Sequence, residues 1–246
     1  IERERGITIK ASAVRLDYKA LDGQTYTLNL IDTPGHVDFT YEVSKSIAAC
    51  DGALLVVDAA QGVEAQTVAN LYLAMEHNLV IVPIINKIDL ANAQIERVKE
   101  QVEEILGAAE NEIILASAKE GTGTQDILEA VIKRIPPPKG SAANPLQALI
   151  FDSSYDTYKG VIIYIRIANG SLHAGTKIKM MRNNRVYDIQ EIGVFKPRPE
   201  VKKSLEAGEV GYIVCNIRDA REILIGDTIT DAQHPAAMPL PGYKKI

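Results

Sequence analysis

Residues 53–60 read ALLVVDAA, five apolar side chains closed by an acid and two alanines. A run this short and this apolar suits a strand buried on both faces, the kind found in parallel sheets covered by helices. Upstream, VDFTYEVSKSIAACDG (37–52) sets apolar residues at helical spacing before a Gly stop. Downstream, the spacing predicts a helix over about 63–77, a strand in LVIVPIIN (79–86) and a helix over about 94–106. A strand in EIILASA (112–118) and a last helix over about 124–135 complete this part. Strands alternating with helices of this length predict an α/β fold with a largely parallel, doubly wound sheet. Ahead of it, residues 7–19 and 24–31 alternate, and LDGQ (21–24) carries the Asp-Gly signature of a tight turn, so these two should pair as antiparallel strands.

IPPPKGSAANP (135–145) breaks the pattern, because consecutive prolines cannot continue a helix and favour an extended connection. Beyond it the period changes to two. LQALIFDSS, GVIIYIRIANG, TKIKMM, RVYDIQEIGVF, EVGYIVC and DTIT read as short strands between Gly, Asn and Asp turns, which predicts a small closed β-barrel. The expected division is therefore residues 1–138 and residues 139–246.

The 246 residues are 46% hydrophobic and 24% charged, a globular composition. Their net charge of −5 means that contact with nucleic acid would need a local basic face. Cys50 and Cys215 lie far apart without metal-ligand spacing and read as small buried hydrophobes of a reducing cytosol. No apolar window of about eighteen residues suggests a membrane span, and no charged-then-apolar leader opens the chain. The start IERERG has no initiator Met, so the chain is expected to be a fragment.

In a doubly wound sheet, ligands sit beyond the carboxyl ends of the strands. Four polar clusters occupy such places. Asp32-Thr33-Pro34-Gly35-His36 follows the second hairpin strand. Its Asp can hold Mg²⁺ through water and its Gly lets a backbone N–H approach a phosphate oxygen, although Asp, Pro and Gly also make ordinary turns. Asn86-Lys87-Ile88-Asp89 follows VIVPII. The Asp89 carboxylate can accept two parallel hydrogen bonds from the N1–H and exocyclic amine of guanine, with Asn86 holding the loop and the Lys87 stem over the base. Adenine lacks that donor pair, so the wrong base costs roughly 1–3 kcal/mol. Equally, Asp89 or Asn92 can merely cap a helix. Ser117-Ala118-Lys119 can close over the base with N–H groups and a lysine stem. RERGITI (3–9) offers the Thr8 hydroxyl to Mg²⁺ and its N–H to a terminal phosphate, or is a solvated charge run entering a strand. Each cluster is weak alone, and their order suits one Mg²⁺-nucleotide site.

RERGITI, DTPGHVDF, NKID and SAK resemble the switch I, switch II and guanine-recognition motifs of the translational GTPases, and the barrel resembles their second domain. The resemblance runs essentially the whole chain. It implies Thr8 and Asp32 at Mg²⁺, Gly35 on the γ-phosphate and His36 orienting the attacking water. Around guanine it places Asn86, Lys87, Ile88 and Asp89 with Ser117, Ala118 and Lys119. It further implies ribosome-dependent hydrolysis of GTP during translation, with ribosomal RNA, ribosomal proteins and tRNA as partners. The protein would be a cytoplasmic monomer, in some cases at the inner face of the cell membrane. One departure stands out: nothing fits G-x-x-x-x-G-K-[ST], the phosphate-cradling loop. The family's first strand and helix, and its later domains, are therefore expected to be missing. Loss of that strand should leave apolar faces and unpaired edges. For such a fragment, weak GTP affinity is expected. Two other readings stay open: a non-hydrolysing module that meets the ribosome through the barrel, or another ribosomal factor of the family.

Overall fold

The computed structural model describes residues 11–241. β1 (Ser12–Lys19) and β2 (Thr25–Asp32) pair antiparallel from Ser12↔Asp32 to Lys19↔Thr25. Gly23 supplies the left-handed turn residue at φ 83°, and Asp22 Oδ1 accepts from Gln24 N at 2.8 Å. A 3₁₀ turn, Val37–Phe39, leads into α1 (Thr40–Ile47), which ends ahead of the predicted stop at Gly52.

β3 (Gly52–Asp58) lies parallel to β4 (Val80–Asn86), and β4 lies parallel to β5 (Ile114–Leu115). The connecting helices are α2 (Ala65–Glu76) and α3 (Ile95–Leu106), followed after β5 by α4 (Thr124–Arg134). Val98 and Val102 of α3 pack on Val57 and Ile85, whereas Ala130 of α4 packs on Val82 and Ile84. Helices thus cover both faces, as the doubly wound reading requires.

Two details differ from the sequence reading. β5 has two residues rather than seven, because Ala116 N bonds Ile85 O while the Ala116 carbonyl accepts from Ile88 N. Ser117 then bonds Thr122 instead of extending the ladder. Nor is β3 buried on both faces, since Val56 is 55% exposed. Among the described residues, β2 and β3 belong to separate sheets, and a cleft of about 940 Å³ lies between them. Leu28, Leu30, Leu54 and Val56 line it.

The second part has β6 (Gln147–Asp156), β7 (Gly160–Asn169), β8 (Ser171–His173), β9 (Lys177–Met180) and β10 (Val186–Asp188). It continues with β11 (Glu191–Lys196), β12 (Arg198–Lys202), β13 (Ser204–Glu206), β14 (Val210–Val214) and β15 (Thr228–Asp231). Period two holds well: Val161, Ile163, Ile165 and Ile167 of β7 all point into one core and are fully buried. The main ladder runs β10-β9-β15-β6-β7-β14-β11-β12 and its two ends do not pair, while β8 and β13 form a separate ladder on the same core. β10 has only three residues, and β12 carries Pro199, which has no N–H to donate, so both end strands suit an edge.

The two parts meet along a mixed seam. Ala49 packs with Leu149, Phe151 and Val210. Beside them Lys45 Nζ lies 2.7 Å from Glu42 and 2.9 Å from Asp152 of β6. Arg166 of β7 donates to Asp51 at 2.6 Å and to the Ala49 carbonyl at 2.9 Å. The β1–β2 hairpin is tied on both sides, to the barrel through Arg15–Glu209 and Lys196–Asp17, and to α4 through Glu129. No helix among the described residues is long and apolar enough to cross a membrane.

Candidate functional site

Parallel pairing of β3 and β4 sets Asp58 opposite Asn86 at the carboxyl ends of the two strands. There the chain turns sharply. Lys87 adopts φ 64°, a left-handed conformation uncommon for a residue with a β-carbon, which aims Ile88 and Asp89 toward the loop after β5. Asn86 Oδ1 accepts from Ala118 N at 3.0 Å, fastening the two loops together. The Ser117 hydroxyl donates to Asp89 Oδ1 at 2.6 Å and accepts from Glu120 N at 3.1 Å. Ser117 is nearly inaccessible, at 1% exposure, so this hydroxyl is a fixed part of the fold.

The bond from Ser117, with the nearby Lys119 and Lys87 charges, holds the Asp89 carboxyl below its ordinary range against the opposing effect of burial. Lys119 Nζ stands 3.9 Å from Asp89 Oδ2. Asp89 is therefore an ionised acceptor with one oxygen bonded by a serine hydroxyl and the other beside a lysine. Such an arrangement can receive a neutral donor pair of the guanine type. Asn86, Lys87, Ile88, Asp89, Ser117, Ala118 and Lys119 thus converge in one place.

Asp32, Thr33, Pro34 and Gly35 fall elsewhere, on the wall of the cleft between β2 and β3. His36 follows them, its side chain 47% exposed. Its Nδ1 accepts from Asp38 N at 3.3 Å, and its ring meets Phe39 edge-on at 6.2 Å. That engagement of Nδ1 leaves Nε2 as the nitrogen open to a further partner. Asp32 is exposed at the end of β2. Among the described residues, no three acidic, His or Cys side chains converge as a metal cage. A divalent ion beside Asp32 would take most of its oxygens from water and phosphate, the habit of Mg²⁺. Thr8 lies outside the described residues.

One residue of the guanine-type cluster escaped the sequence reading. Lys87 Nζ is held 2.8 Å from Asp58 Oδ2, and Asp58 Oδ1 accepts from Ala60 N and Gln61 N. The rule that singled out Asn86, a polar residue just after an apolar strand, applies equally to the acid of ALLVVDAA.

The elongation factor Tu GTP-binding domain, as a family model, matches residues 1–137, and elongation factor Tu domain 2 matches residues 160–230. Proteins called elongation factor 4 are similar over the full chain. Those of Desulfitobacterium hafniense and Gloeobacter violaceus are 60% identical, each over 100% of this chain and 41% of their own length. That of Thermotoga maritima is 58% identical over 100% of this chain and 40% of its own. The chain therefore spans about two fifths of the length of these curated relatives. Among solved structures, a bacterial selenocysteine-specific elongation factor EF-Sec superposes with a TM-score of 0.76 at 21% identity, covering 94% of this chain and 40% of the other. Elongation factor SelB from Methanococcus maripaludis, in complex with the GTP analogue GPPNHP, gives 0.74 at 23% identity over 92% of this chain and 50% of the other. At such identities the likeness speaks for the fold.

Proposed function

Because the chain belongs to the translational GTPases that carry the elongation factor Tu GTP-binding domain, we propose that its parent protein hydrolyses GTP to GDP and phosphate on the ribosome during elongation. The observation that carries this reading is the convergence of Asn86, Asp89, Ser117 and Ala118 through two hydrogen bonds, Ser117 to Asp89 and Ala118 to Asn86. It builds a rigid, anionic acceptor at the carboxyl end of a parallel sheet, and such an acceptor selects guanine over adenine. Residues to 138 form the nucleotide-binding part and those from 139 the barrel part. The relatives named elongation factor 4 support a role in elongation; back-translocation or relief of stalled ribosomes is the form of it proposed.

Hydrolysis of this kind is mostly positioning and charge neutralisation. Thr8 and Asp32 would hold Mg²⁺, which would supply positive charge against the phosphates. Gly35 presents backbone to the terminal phosphate without a side chain in the way. His36 orients the attacking water through Nε2. Contact with ribosomal RNA needs local positive charge despite the overall −5.

Ribosome-stimulated phosphate release by the full-length gene product tests the reading. Asp89→Ala should erase the preference for guanine over adenine nucleotides. His36→Ala should leave nucleotide binding intact and slow turnover by roughly 10²–10⁴. Wild-type turnover in His36→Ala would remove that residue from the chemistry, and a protein indifferent to GTP would remove the whole reading.

A further inference from the structure

Asp58 ends β3 with its two carboxylate oxygens put to separate uses. Oδ1 accepts from Ala60 N at 2.7 Å and Gln61 N at 3.2 Å, which shapes the turn after the strand. Oδ2 lies 2.8 Å from Lys87 Nζ. The Asp58 side chain is 15% exposed and that of Lys87 56%, so the acid is the fixed member and the lysine the one being placed. Burial alone would push the Asp58 carboxyl up; the Lys87 ammonium and the two backbone N–H groups outweigh it and keep Asp58 ionised.

We infer that Asp58 is a positioning residue for nucleotide binding, which fixes the Lys87 ammonium through Oδ2 so that the lysine stem is laid ready across the face of the purine. The inference rests on the guanine site proposed above. A lysine stem has several rotatable bonds, and ordering it costs conformational entropy. Here the left-handed backbone at Lys87 sets where the stem starts and Asp58 sets where it ends. The ordering is complete before nucleotide arrives, which slows its departure. Asp58 has no part in choosing the base, because its oxygens are turned to Lys87 and the Ala60–Gln61 turn.

The division of oxygens supplies the test. Asp58→Asn can keep the Oδ1 acceptor for Ala60 and Gln61 while exchanging the Oδ2 that faces Lys87 for an amide NH₂, which cannot hold an ammonium. Release of a fluorescent methylanthraniloyl-GDP from the full-length gene product is measured for wild type, Asp58→Asn, Lys87→Met and the double variant, with Asp89→Ala alongside. Asp58→Asn and Lys87→Met should each speed release by roughly tenfold, the scale of one charge-assisted bond. The double variant should match Lys87→Met within about twofold, because the two residues act as one unit. Asp58→Ser, too short to reach Lys87, is the second variant should the first fold poorly, with the same expectation. Unchanged release, or an equal acceleration by Asp58→Asn when Lys87 is already Met, overturns the inference and returns Asp58 to a turn-shaping role. An Asp89→Ala protein with undiminished guanine preference overturns instead the base-site reading on which it rests.

Discussion

Lys45 Nζ and Asp152 Oδ1 lie 2.9 Å apart with side-chain exposures of 5% and 6%, a charge pair sealed between α1 and β6. Burial pushes the Lys45 ammonium down in pKa, yet Glu42 and Asp152 more than compensate and the net shift is upward. Removing Asp152 leaves the buried Lys45 ammonium with Glu42 as the remaining carboxylate of the pair of acids that holds it. Asp152→Ala should lower stability by about 3 kcal/mol, within the range for broken buried pairs, as read from urea unfolding. Lys45→Met combined with Asp152→Leu should lose much less than the two single changes summed. With the folded pKa raised, the Lys45 contribution is fully present below the unfolded lysine value of about 10.4 and fades as pH rises through the folded one.

Glu129 reaches from α4 to the hairpin, accepting from Tyr18 hydroxyl and from Leu21 N at 2.9 Å each while only 8% exposed. Glu129→Ala leaves both donors behind and should cost about 1–3 kcal/mol. Tyr18→Phe removes a single bond and should cost about 1 kcal/mol. Hydrogen exchange at Leu21 N should quicken in the first variant and stay slow in the second.

Ser117→Ala deletes the hydroxyl that grips Asp89. Guanine-nucleotide affinity of the full-length protein should fall by roughly tenfold, and stability by about 1–3 kcal/mol because Asp89 and Glu120 N lose their partner. Calorimetric titration with GDP measures it, and equal affinity in the two proteins would mean that Asp89 is positioned without Ser117.

Cys215 is 6% exposed and burial pushes its thiol up to about 12. An acid whose folded pKa is raised is stabilising while both states stay protonated, so this contribution holds below the unfolded value of about 8.5 and is lost as pH climbs toward the folded one. Between those limits stability should drop by up to about 1.4 kcal/mol per pH unit from this thiol. Cys215→Ala should flatten that alkaline decline, and a thiol-reactive dye at pH 8 should label Cys215 only upon unfolding.

How much was legible in the sequence depended on how local the determining physics was. Alternation in GVIIYIRIANG placed Val161 through Ile167 correctly, because a strand with one buried face writes its period into its own residues. Asp89 and Ser117 were recognisable as candidates from their positions after apolar strands. Their mutual bond was not, since residues 28 apart in sequence are joined only by the packing of β4 against β5. Val56 of β3 is 55% exposed on the wall of the cleft, although the apolar run around it reads as a preference for burial. Asp58 carries its functional meaning in a partner 29 positions further along the chain, which no local pattern reveals.

Pro136, Pro137 and Pro138 lead into Gly140, where an added β-carbon would collide with the Ala168 carbonyl, and Pro138 itself sits where a β-carbon on Gly208 would come within 2.9 Å of it. The linker contacts and the pairs Lys45–Asp152 and Arg166–Asp51 all span the two parts, so a substitution on one side of the seam is felt on the other.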